Sequence, residues 1–100
     1  MEGQASISTD ILARYAADAA REVLGVRGVS ESTLPGRRGV RVAADEAGVR
    51  VELHLTVAWG ASIPELGRDV QRRVRDYLQS MADVDPIAVD VTVDEIGPRA

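Results

Sequence analysis

The chain has 100 residues, 45% of them hydrophobic, and a formal net charge of −4, which is the size of one domain with enough apolar content for a modest core. It has no cysteine, which excludes disulfides, thiolate metal sites and cysteine nucleophiles together. All 12 basic residues are arginine, Phe is absent, and the acidic balance argues against a general nucleic-acid binder.

Residues 1–7 read as a frayed lead-in. Ser8 is suited to cap a helix, with Asp10 near its positive end. Ile11, Leu12, Tyr15, Ala16, Ala19, Ala20 and Val23 then recur as one apolar stripe, the helical period. Arg14 and Asp18 are spaced for an i,i+4 pair, and Gly25 is a natural stop. Gly25-Val26-Arg27-Gly28-Val29 follows a helix and lacks a Lys-Ser/Thr ending, so it is not a phosphate loop. It reads as an extended turn whose two valines close the core edge. Residues 30–39, SESTLPGRRG, form a polar loop made basic by Arg37 and Arg38.

Gly39 to Ala44 reads as a short strand and Asp45-Glu46-Ala47-Gly48 as the turn of an antiparallel hairpin. Val49, Val51, Leu53, Leu55, Val57 and Trp59 then alternate with Arg50, Glu52, His54, Thr56 and Ala58. Period two over that length describes a long strand with one buried and one wet face. Trp59 ends it on the apolar parity and is expected to plug the end of the core, with an exposed interface anchor as the other possibility. Ser62-Ile63-Pro64-Glu65 matches the capping-box pattern with Pro in the first turn. A second stripe follows: Ile63, Leu66, Val70, Val74, Tyr77 and Met81. Arg68, Arg72 and Arg75 lie off it; Asp69 with Arg73 and Arg72 with Asp76 are spaced as i,i+4 pairs. Pro86 ends the helix. Ile87, Val89, Val91 and Val93 then alternate with Ala88, Asp90, Thr92 and Asp94 as a third strand, before a short tail at 97–100.

The order α-β-β-α-β predicts an α+β fold, a two-layer α/β sandwich. Both helices lie on one face of a three-stranded mixed sheet, and the last strand runs parallel to the long one. A core of small aliphatics leaves marginal stability and makes self-association plausible. The other sheet face would stay uncovered, free for a second copy or a partner. Residues 1–100 are read as a single domain. The N-terminus lacks the basic and apolar regions of a signal peptide, and no apolar run approaches the ~20 residues of a membrane span. The expectation is a cytoplasmic protein without direct membrane insertion.

Candidate chemistry is sparse. His54 is the single histidine, a poor metal ligand by itself, and an acid–base role would need Glu52 or Asp90 beside it. The serines lack a nucleophile's turn context, and the acids between Asp83 and Glu95 do not match a calcium loop. No catalytic, cofactor or metal site is expected. The candidate interaction surface is Arg50, Glu52, His54, Thr56, Trp59, Arg68, Arg72 and Arg75.

Four pieces carry a family resemblance: SISTDILARYAADAAREVLGVRGV, GVRV, GVRVELHLTVAWGASIPEL and IAVDVTVDEI, in that order. Together they resemble the alkaline shock protein family of bacterial envelope stress response proteins over about residues 5–96. The Trp59-Gly60-Ala61-Ser62-Ile63-Pro64 segment is similar to the family's Tyr/Trp-Gly-x-Ser-Ile-Pro signature. The resemblance implies a small cytosolic protein without known catalysis that self-associates as a homo-oligomer. For some members it implies attachment to the membrane through a separate anchored partner. It supplies no active site. The alternative reading is a small nucleic-acid-binding α/β module, with Arg37, Arg38, Arg68, Arg72 and Arg75 on phosphates; the absence of aromatics on the wet face argues against it.

Overall fold

The computed structural model describes residues 7–30 and 39–98. In chain order the elements are α1 (Thr9–Arg21), β1 (Val26–Val29), β2 (Val40–Asp45), β3 (Gly48–Val57), α2 (Ile63–Ala82) and β4 (Ala88–Ile96). The α+β class and the single layer of helices are as expected. The strand count is not: Val26–Val29, read from sequence as a turn, is a strand, and the sheet has four strands.

β3 organises the sheet. It pairs antiparallel with β1 through Leu55–Val57 and antiparallel with β2 through Gly48–Leu53. β4 pairs with it in parallel from Arg50 to Val57. Because β4 spans the stretches taken by both β1 and β2, these two lie end to end along one edge and β4 lies along the other. The junction falls at His54, whose N–H donates to the Gly39 carbonyl and whose carbonyl accepts from the Ser30 N–H. A Cβ on Gly39 would overlap the Ser30 carbonyl and Val29, so this close approach needs a glycine. The chain thus leaves one edge position at Ser30 and returns beside it at Gly39. The basic loop expected between them, with Arg37 and Arg38, lies outside the described residues.

The hairpin from β2 to β3 turns at Glu46-Ala47. The Asp45 carboxylate accepts from the Ala47 and Gly48 N–H groups at 2.8 and 3.3 Å, the local bonding for which Asp is favoured in turns. Gly48 adopts φ +137, and a Cβ there would lie 2.8 Å from the Ile87 side chain.

The core forms where the inward residues of β3 meet both helices. Val51, Leu53, Leu55 and Val57 pack with Leu12, Ala16, Ala19, Ala20, Leu66, Val70, Val74, Leu78 and Val89. The alanines let α1 approach the sheet closely, and Tyr15 meets Tyr77 edge to face at 5.8 Å, a favoured aromatic geometry. Both predicted stripes need correction at their ends. Ile11 is exposed while Ala17 is buried; Ile63 and Met81 are exposed while Leu78 is fully buried. A strict 3–4 step drifts off a 3.6-residue turn, so the core positions end one residue away from those extrapolated. Ile87 is likewise exposed, since β4 begins after it.

Ser8 caps α1 by accepting from the Ile11 N–H at 3.2 Å. The helix ends at Arg21 with Glu22 as C-cap, and Gly25 instead takes φ +100 in the turn beyond. Ser62 occupies the N-cap of α2 in extended conformation but makes no side-chain cap bond, so the capping box is not formed. Asp18 pairs with Arg21 at 3.2 Å, and Arg73 reaches Glu22, the C-cap of α1, at 3.6 Å. Gly97, expected in a frayed tail, donates its N–H to the Val57 carbonyl.

Truncating Leu53→Ala, at the centre of this core, is expected to lower unfolding free energy by about 2–5 kcal/mol. The two caps separate more finely: Ser8→Ala is expected to lower it by about 1 kcal/mol, whereas Ser62→Ala is expected to change it by less than ~0.5 kcal/mol. Denaturant unfolding of the three variants checks all three values.

Candidate functional site

Both helices bury the same face of the sheet, so the outward parity of β3 and its neighbours forms an uncovered surface. Register places Arg41 and Asp90 on either side of Glu52, and Ala43 and Ala88 on either side of Arg50. Arg41, Arg50, Glu52, Asp90, Thr92 and Asp94 are exposed.

His54 is the centre of this surface. Its Nε2 lies 2.7 Å from a Glu52 carboxylate oxygen, and its Nδ1 lies 3.1 Å from an Asp94 carboxylate oxygen. A neutral imidazole can donate from one nitrogen only; the imidazolium donates from both. The hydrogen bond to Glu52, then that to Asp94, therefore hold the histidine pKa above its usual 6.5, against a smaller opposing effect of burial. The resulting clamp ties β3 to β4 across the open face.

Sequence reasoning offered Glu52 or Asp90 as the acid partner. The structure selects Glu52 and Asp94. His54 opposes Thr92, so Asp90 and Asp94 are both its diagonal neighbours on the open face; the ladder is irregular next to Asp94, since Leu55 opposes Val93 but Thr56 opposes Glu95. A second irregularity lies on the other side of Thr56, between Val26 and Gly28 of β1. Bulges re-aim side chains, and alternation alone does not reveal them.

The remaining predicted residues are not brought together with this surface, Thr56 excepted. Thr56 shares the open face, its hydroxyl 3.5 Å from that of Ser30. Arg68, Arg72 and Arg75 are exposed on α2, in the layer on the opposite side of the sheet. Trp59 does not plug the core: it is 58% exposed, because the chain turns through Gly60 at φ +88 before α2 begins. It lines a dent of about 250 Å³ at the end of the sandwich, with Val57, Ala61, Ile63 and Ile96. Two exposed apolar residues went unnoticed in the sequence, Ile96 beside Trp59 and Leu24 in the α1–β1 turn. Both sit outside a periodic run, so no pattern marked them. Among the described residues no group of three or more His, Asp or Glu is arranged to hold a metal ion.

The architecture is an α+β sandwich with one bare sheet face, and its likenesses agree with that class. The fold is similar to solved structures of the MamM CTD. One, spanning 215–293 of that protein, has a TM-score of 0.59 at 14% identity, with 88% of this chain and 99% of that one covered. A manganese form of a MamM CTD variant gives 0.58 at 15% identity, over 88% and 99%. At that identity the likeness establishes the fold alone. The model of the alkaline shock protein 23 family, a family of cell envelope-related function, matches residues 1–98, and the chain belongs to that family. A relative from Streptococcus pyogenes serotype M6, "Uncharacterized protein Spy1614", is 26% identical over 107 residues, covering 95% of this chain and 88% of that one. No helix among the described residues is long and apolar enough to cross a membrane.

The clamp has a defined pH dependence. A histidine whose pKa is raised on folding contributes stability in full below its unfolded value, near 6.5, and that contribution is lost as pH rises through the higher folded value. The stability gap between the parent and His54→Gln is therefore expected to be widest below pH 6.5 and to narrow on going alkaline. NMR titration of the ring is expected to show its pKa falling in both Glu52→Gln and Asp94→Asn.

Proposed function

We propose that this chain is a non-enzymatic interaction module of the cell envelope, and that it associates with a second copy of itself through the open sheet face. The observation that carries this reading is the bare face itself, four strands covered by helices on one side only. Its outward residues mix charges with small side chains, the composition of a polar protein contact and not of a substrate cleft. His54, the residue best suited to acid–base work, has both ring nitrogens engaged by Glu52 and Asp94. Membership of an envelope-related family supports the setting. Attachment at the membrane would then pass through a separate anchored protein that binds the assembled module. The acids Glu52, Asp90, Asp94 and Glu95 along β3 and β4 disfavour a phosphate backbone on this face.

The charges suggest how two copies meet. Glu52 and Arg50 are two residues apart on β3 and share a face. A two-fold axis crossing the strands at Val51 sets Arg50 of each copy against Glu52 of the other. The same rotation sets Arg41 and Asp90 over the small Ala43 and Ala88. Arg50→Glu and Glu52→Arg are each expected to weaken association at least ten-fold in analytical ultracentrifugation, and the double variant to regain most of it. A strictly monomeric parent at high concentration would overturn the reading.

A further inference from the structure

The end of the sandwich carries a second surface that the open face does not explain. Leu24 is 97% exposed, while Trp59, Ile63 and Ile96, around the dent, are 58%, 40% and 50% exposed. A knob and a hollow, both apolar, therefore lie at the end where β3 finishes and α2 begins.

The two are held on one rigid frame. The turn that presents Leu24 is fixed by Glu22 and Val23 N–H bonds to Ala19 and Ala20 of α1 and by the Val26 N–H to the Val23 carbonyl. Gly25 then takes φ +100 and backs directly onto Leu66 and Ala61. Its carbonyl accepts from the N–H of Ala58 at 2.8 Å, and Ala58 and Ala61 are themselves walls of the dent. Leu24 is thus displayed by a preorganised turn, anchored to the hollow's own lining. Little ordering is required when it docks, and the spacing of knob to hollow is the same in every copy.

We propose that Leu24 of one copy seats in the Trp59–Ile63–Ile96 dent of a second copy, and that the exchange is mutual. The dent's volume of about 250 Å³ exceeds that of a leucine side chain, and its walls are aliphatic side chains and the indole. A knob and hollow on a single end make a self-complementary patch, which two copies satisfy at once about a two-fold axis. An indole at the rim of an apolar hollow is among the side chains most enriched where a few residues dominate binding energy. This contact is separate from the sheet-face contact: Arg50 and Glu52 take no part in it.

Trp59 is the single tryptophan, so its emission reports this site alone. With rising concentration the parent is expected to show a blue shift of that emission, and the shift is expected in Arg50→Glu as well. Leu24→Asp, at a position with almost no intramolecular contact, is expected to fold as the parent does, to lose the shift, and to raise the dissociation constant of this contact at least ten-fold. Ile96→Asp is expected to do the same from the hollow's side. Mixing Leu24→Asp with Ile96→Asp leaves one intact knob facing one intact hollow, so the mixture is expected to associate more strongly than either variant alone. The proposal is overturned if the emission is independent of concentration, if Leu24→Asp retains the shift, or if the mixture associates no better than its components.

Discussion

The pairing of β3 on both edges is the constraint on which the rest depends. One strand supplies four fully buried side chains to the core, receives β1 and β2 along one edge and receives β4 along the other. Every other strand joins the sheet only through it. Since successive residues of a strand face opposite ways, the parity that fills the core with Val51, Leu53, Leu55 and Val57 also commits Arg50, Glu52, His54 and Thr56 to the other face. Core and open face are two readings of one strand. A shift of one residue in its register would destroy both together.

That coupling explains which parts of the molecule were legible in the sequence. β3 and most of β4 could be read because alternation persists over many residues, and the helices because their apolar spacing is regular. β1 could not: Val-Arg-Gly-Val is too short to show a period, and its strand state comes from the bonds it makes to Leu55–Val57. The missing cap at Ser62 shows the limit of a motif that specifies residue types but not the geometry in which they meet. Trp59 continues the apolar parity of β3, yet the pairing of β3 ends at Val57, and parity carries no meaning once the ladder stops. Of the candidate surface, the open-face residues were legible as a set, while alternation places Asp90 and Asp94 alike on that face and does not choose Asp94 as the partner of His54. The arginines of α2 were legible as exposed, but not as lying in the layer remote from the open face.

The irregularities are confined to one level of the sheet. Of the three strands that pair with β3, β1 and β4 depart from regular pairing at Thr56, and the chain also interrupts its first edge two residues away, at His54. Below that level the ladder is regular from Gly48 to Leu53. The regular part is where the alternating charges stand in register. The irregular part is where a histidine is gripped by acids from two directions. Pairing resumes beyond the irregularity, with Thr56 opposite Glu95 and Val57 opposite Ile96, and the ladder stops there, so Trp59, two residues further on, lies outside the sheet's cover.

A chain of this length buries a limited fraction of its surface, and this one does so almost wholly with Val, Leu and Ala. The largest side chain, Trp59, is not among them. Placing the single indole at the rim in a chain with no phenylalanine withholds from the core the residue with most apolar area to contribute. That area stays available for association. Stability gained there depends on protein concentration, whereas area buried in the core contributes at any concentration. With its largest apolar side chain outside the core, the chain would gain stability from any association that covers Trp59, so that stability and assembly would rise together with concentration.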